Sequence, residues 1–155
     1  MGRVKFDMFG WDKLKKTLEG KYTTQVGILG SQASKEHNKT TKTNAEIGAI
    51  HELGLVAGIP QRSFLKMPLE KKLFNKISER KDDYFTALER NNLKKWFFAV
   101  GEWCEEIIDD AFETEGFGTW EKNSPITVSR KGLGKKVLFD TGQLRNSISS
   151  RVVEK

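Results

Sequence analysis

The apolar residues Leu93, Trp96, Phe97, Val100, Trp103, Cys104, Ile107, Ile108, Ala111 and Phe112 recur every three or four positions. A stripe of that period and length puts one face of a long helix against something else, whatever the rest of the chain does. The helix is predicted to be capped at Asp82 or Asp83 and to run to about Thr114. Gly101 stands in its middle, where glycine costs about 1 kcal/mol relative to alanine. That position is therefore expected to allow a close approach by a neighbouring element.

The partners of that face follow from the remaining patterns. Tyr22, Thr24, Val26 and Ile28 alternate with Thr23, Gln25, Gly27 and Leu29, which predicts a strand. Ser147 to Val153 reads as a closing strand. Asp7 to Glu19 reads as an amphipathic helix on Trp11, Leu14 and Leu18, stopped at Gly20. Thr43 with Glu46 three residues later is a capping box opening a helix on Ile47, Ile50 and Leu53, and Gly54 is placed to end it. Pro60 keeps Ile59 extended, with Phe64 and Leu65 anchoring that corner. From Pro68, Leu69, Leu73, Phe74 and Ile77 mark another helix. Gly30 to Lys42 is polar and aperiodic and is expected to be a mobile surface loop. Gly116 to Lys136 is expected to be irregular, with Trp120 as its apolar anchor. The whole reads as one α+β domain over residues 1–155, a small antiparallel sheet packed on several helices including one long amphipathic helix.

Several function classes drop out. No apolar run reaches membrane-spanning length, and the N-terminus lacks a secretory h-region. Cys104, the single cysteine, cannot form an internal disulfide, which suits synthesis in a cytoplasm. The net charge of +6 permits contact with nucleic acid, but the lysines are spread along the chain rather than clustered.

No catalytic constellation assembles. His51 and Glu52 are adjacent and so face different sides of a helix, with no second histidine four residues on. Glu105, Glu106, Asp109, Asp110 and Glu113 read as a solvated outer face of the long helix, in preference to a cation site. Cys104 lies on the core stripe and reads as a small buried hydrophobe. Arg130, Lys131, Lys135 and Lys136 form a local basic cluster among glycines, without the frame of a phosphate-binding loop. Ser147, Ser149 and Ser150 lack a nucleophile elbow. The chain is expected not to be an enzyme and to need no cofactor or metal.

The stretch Asp140 to Ile148, DTGQLRNSI, reads as a helix start. Asp140 is placed as N-cap, Gln143 as its capping-box partner, and Phe139 with Leu144 as a hydrophobic staple. Leu144 and Ile148 would share one helix face. On that reading, losing the Asp140 cap costs about 1 kcal/mol.

The order of segments carries a resemblance. NAEIGAIHELGLVAGIPQRSFL (44–65) precedes long helices, then WEKNSPITVSRK (120–131), then LFDTGQLRNSI from Leu138. Together they resemble the tailed-bacteriophage family of virion morphogenesis, or tail completion, proteins. That family shares a Glu-x-Gly … Ile-Pro-x-Arg-x-Phe block and a late Asp-Thr-Gly-x-Leu-Arg-x-Ser-Ile block. Ser63 stands where the family often has a second proline, which predicts a less rigid corner. Many relatives continue into a further strand beyond the position of Lys155, so the sheet is expected to be smaller here or completed by a neighbouring subunit.

The resemblance implies a structural virion protein, made in the host cytoplasm and placed at the head–tail junction or the head-proximal end of the tail. Its partners would be further copies in a ring, connector and tail-tube proteins, and passing DNA. Arg62, Phe64, Arg130, Lys131 and Arg145 are the expected partner contacts. Asp140, Thr141, Gly142, Gln143, Leu144 and Ile148 are the expected structural motif. A basic nucleic-acid-binding module using the lysine-rich loops is the alternative reading, and a metal-dependent hydrolase using the acidic helix face is a weaker third.

Overall fold

The structure, a computed structural model, describes residues 20–155 with Lys39 and Leu133 excepted; the helix expected over 7–19 lies outside them. Strands β1 (Tyr22–Ile28) and β2 (Ile148–Glu154) pair antiparallel, with Tyr22 opposite Glu154 and Ile28 opposite Ile148. Between them run α1 (Ser31–Ser34), α2 (Asn44–Leu53), α3 (Lys66–Glu79), α4 (Lys81–Glu89), α5 (Leu93–Glu113), α6 (Pro125–Lys131) and α7 (Gln143–Asn146). The expected α+β class is the observed one, and the two predicted strands pair with each other against the predicted long helix.

The apolar stripe explains the layering. Leu93, Trp96, Cys104, Ile107, Ile108, Ala111 and Phe112 of α5 are all buried. Ile108, Ala111 and Phe112 join Phe64, Trp120, Val137 and Leu144 in one cluster, flanked by Val26 and Ile28 of β1. Cys104 is part of this face, and burial pushes its thiol up to about 11. A thiol so held is protonated at neutral pH and packs as a hydrophobe.

Gly101 does what its position on the stripe predicts. A Cβ built there would stand 2.5 Å from Ser150 Oγ and 3.4 Å from Thr24 Cγ2. The sheet thus lies directly on the helix backbone at this point. Thr24 Oγ1 donates to the Phe97 carbonyl at 2.7 Å, a polar stitch in the same contact.

The phase of the ladder decides which backbone groups face outward. The Ser150 N–H donates to Glu105 Oε1 at 2.6 Å, so it points away from β1. Inward and outward residues alternate along an antiparallel strand. On β1 the outward set opposite Ser150's phase is Tyr22, Thr24, Val26 and Ile28. The Lys155 N–H donating to the Lys21 carbonyl at 2.9 Å keeps that phase at the end of the ladder. Glu105, expected on a solvated face, instead covers part of the β2 edge.

Four local expectations need correction. The helix expected from Asp82 or Asp83 to Thr114 is two helices, broken at Arg90–Asn92. Asn91 adopts φ 51°, the left-handed region that asparagine tolerates, and the Asn92 N–H turns back to the Ala87 carbonyl. Residues 116–136 contain α6, for which Ser124 is the N-cap and Pro125 the first helical residue. The stretch 30–42 holds the one-turn α1 and a Glu36–Thr43 bridge, so it is less irregular than its composition suggested. On α2 the Thr43–Glu46 capping box forms and Gly54 ends the helix at φ 65°, yet Leu53 is 59% exposed rather than continuing the stripe.

Candidate interaction cleft

Glu52 organises the corner that follows α2. Its carboxylate accepts the backbone N–H groups of Phe64 (2.7 Å), Leu65 (2.9 Å) and Lys66 (3.0 Å), and the Ser63 hydroxyl at 2.8 Å. Those of Leu65 and Lys66 are orphan donors at the start of α3, whose N-cap residue supplies no side-chain bond. A carboxylate there also complements the helix dipole. Ser63 Oγ in turn accepts the Met67 N–H at 2.9 Å. The corner expected to be loosened by Ser63 is therefore tied by that same side chain.

Two expected partner contacts belong to this architecture. Arg62 is 6% exposed and donates Nε to the Glu121 carbonyl at 2.9 Å and Nη2 to the Lys122 carbonyl at 3.1 Å. It clamps the chain leading into α6. Phe64 is 0% exposed and packs tilted on Phe112 with centroids 5.5 Å apart. Phe64 is shut inside the core, whereas Arg62, braced by the two carbonyls, lines a cleft.

The DTGQL stretch also differs from its expected form. Helix α7 begins at Gln143, the residue before it is Gly142 at φ 78°, and no side chain caps it. Asp140 is not an N-cap, and the Asp140–Gln143 capping box does not form. Gln143 reaches elsewhere: its Oε1 accepts the Asn38 N–H at 2.9 Å, and its Nε2 donates to the Glu36 carbonyl and to Asn44 Oδ1. Asn44 is fully buried and holds α1 through its Nδ2 donating to the Gln32 carbonyl. His37 Nδ1 lies 2.8 Å from Asn44 Oδ1; a carbonyl oxygen only accepts, so this ring nitrogen is the donor. Leu144 is buried in the core, whereas Ile148 opens β2 instead of sharing its helix face. The stability cost assigned to losing an Asp140 cap therefore has no basis. Asp140 acts electrostatically on Lys131 instead.

The remaining candidates divide. Arg145 pairs with Asp109 at 2.7 Å and with Glu113 on α5, and both hydrogen bonds, that to Asp109 first, raise its pKa. It is engaged in two ion pairs within the chain. Lys131 turns inward, Nζ to the Phe139 carbonyl at 3.3 Å, and Lys136 pairs with Glu113. The basic cluster is thus dispersed, with Arg130 and Lys135 on the surface. Lys76 pairs with Glu106, so the acidic face of α5 is largely matched by cations, and among the described residues no group of acidic, histidine or cysteine side chains could hold a metal.

What these elements enclose is a cleft of about 290 Å³. Its walls are the end of α2, the Gly58–Arg62 corner, the Glu121–Thr127 strap with Lys131, and the Leu138–Leu144 stretch. The two blocks that carry the resemblance, far apart in the chain, meet here.

His51 stands in this cleft. Its Nδ1 is buried and makes no hydrogen bond among the described residues. Burial first, then the charges of Arg62, Lys131 and His37, lower its pKa from 6.5 to about 4. Burial likewise lowers the pKa of Lys131, with Asp140 opposing, and that of Arg62, with Glu121 opposing. The interior is electropositive around an uncharged imidazole. Between about pH 6.5 and 4 the unfolded chain binds a proton at position 51 that the folded chain refuses. Stability is therefore expected to fall as pH drops through that window. Calorimetric unfolding near pH 5 in buffers of different ionisation enthalpy should show that proton uptake, and His51→Gln should remove it; an unchanged uptake in the variant contradicts the assignment.

Among the described residues no helix is long and apolar enough to cross a membrane. The chain matches no family model, no curated protein and no solved structure.

Proposed function

We propose that this chain is a structural virion protein of a tailed phage or prophage. It works at the head–tail junction or the head-proximal end of the tail by oligomerising and binding neighbouring virion proteins, without catalysis. The observation that carries the reading is the sheet. It has two strands among the described residues, is backed on one face by α5, and turns the backbone groups of Tyr22, Thr24, Val26 and Ile28 outward along β1. Such an edge is a template for pairing with another chain, and a head-to-tail use of it builds a ring. The resemblance of the Glu52–Phe64 and Asp140–Ile148 blocks supplies the setting. Exposed Leu53 at the end of α2, with Leu55 and Val56 just beyond it, adds an apolar knob of the kind that interfaces bury.

Native mass spectrometry and light scattering on purified protein, alone and with connector and tail-tube proteins, test the reading. A discrete ring or a stoichiometric complex is expected. A chain that stays monomeric in every such mixture overturns it.

A further inference from the structure

We propose that the cleft between the Gly58–Arg62 corner and the Leu138–Leu144 stretch binds a single carboxylate on a peptide stem, the side chain of a glutamate or aspartate presented by a protein partner. The charge arrangement selects the class. Arg62 is buried and Lys131 half-buried, while Glu121 and Asp140, which also line the cleft, are exposed. Lys122, on the same wall, is paired with Glu115. Positive charge thus lies within and negative charge at the rim, an arrangement that admits one small anion and repels a polyanion such as a nucleic-acid backbone.

The donors match one carboxylate. Arg62 spends Nε and one Nη2 hydrogen on carbonyls, which fixes the guanidinium in place and leaves its charge to the cleft. Lys131 spends one donor on the Phe139 carbonyl and, as an ammonium, carries three. His51 Nδ1, buried and without a hydrogen bond, is a further polar group for which a ligand oxygen would be a partner. Ile47, Ile59 and Leu138 supply apolar lining for the methylene stem. The proposal does not depend on the virion reading, and its test contains no virion component.

The experiment follows the ring signals of the two histidines by NMR, assigned with His51→Gln. The probes are N-acetylglutamate amide, its uncharged glutamine counterpart and inorganic phosphate. Glutamate is expected to shift the His51 signals saturably and to raise the His51 titration midpoint, because an anion offsets the Arg62, Lys131 and His37 charges; the exposed Glu121 and Asp140 are present in both states. The glutamine probe should do nothing, and Lys131→Gln should weaken glutamate binding about tenfold, close to 1.4 kcal/mol, with the β1–β2 amide signals unchanged. No saturable His51 shift with glutamate, or an equal response to glutamine or phosphate, overturns the proposal. Once glutamate binds, a His51 shift that appears with protein concentration and is competed by the probe assigns the carboxylate to a second copy of this chain.

Discussion

Glu52→Ala should destabilise the fold by about 3 kcal/mol, although Glu52 lies outside the apolar core. Its carboxylate is the common acceptor for three consecutive N–H groups and a hydroxyl at the start of α3. Removing it strands donors that the helix cannot satisfy itself. Single N-cap losses run to about 2 kcal/mol and hydrogen bonds to a charged acceptor to about 3. The contacts act as a unit, so they do not sum. Glu52→Gln keeps one carbonyl acceptor but sets an amide N–H₂ against the donors, and should lose about half as much. Urea unfolding gives the energies, and native-state hydrogen exchange gives the location. Faster exchange confined to Phe64, Leu65 and Lys66 is expected in the glutamine variant. Wild-type stability in Glu52→Ala would show that water replaces the carboxylate without penalty.

Gly116→Ala should cost more, about 3–5 kcal/mol, the range of a deleted core tryptophan. Gly116 has φ 69°, and its N–H closes the end of α5 on the Ala111 carbonyl at 2.7 Å. A Cβ there would lie 2.3 Å from Cδ1 and 2.4 Å from Nε1 of Trp120, far inside van der Waals contact with the indole ring. The left-handed backbone adds about 1 kcal/mol for any L side chain, against a gain of under about 1 kcal/mol from a stiffer unfolded chain. The ring has little room to yield. It is 5% exposed, packs edge-on against Phe112 at 5.6 Å, and donates Nε1–H to the Ser63 carbonyl at 3.1 Å. Pushing it out would also disturb the corner that Glu52 holds. In a Trp120→Ala background the same substitution should cost only the backbone part. Full additivity of the two changes would mean that the ring is not the obstacle.

These two sites show where reading the sequence succeeds and fails. Thr43 with Glu46 and Asp140 with Gln143 have the same spacing, each a side chain able to cap followed three residues later by Glu or Gln. The first forms a capping box because both partners lie within one turn and nothing distant competes. The second does not, because the backbone of 36–38 and Asn44 offer Gln143 better partners about a hundred residues away. Glu52 beside His51 showed no role in the sequence, since its main partners, twelve to fourteen residues on, are anonymous backbone amides. Arg62 and Phe64 drew attention as motif residues, and motif membership does not distinguish a contact from a brace. Helix α6 was legible in Ser124-Pro125, a cap followed by a proline, but the surrounding glycines outweighed it. The α5 stripe and the two strands were legible because burial of one face enforces a period, and Gly101 because a period interrupted by glycine has few explanations.

The ladder that closes the fold joins residues 120 to 132 positions apart, from Ile28 with Ile148 to Tyr22 with Glu154. Local helices can form early, but this pairing must overcome the closure entropy of nearly the whole described chain before its first hydrogen bond contributes. The sheet is therefore the late event in the folding of the chain. Until that pairing forms, β1 and β2 are single segments with both backbone edges open, the state in which an immature chain is most exposed to pairing with another.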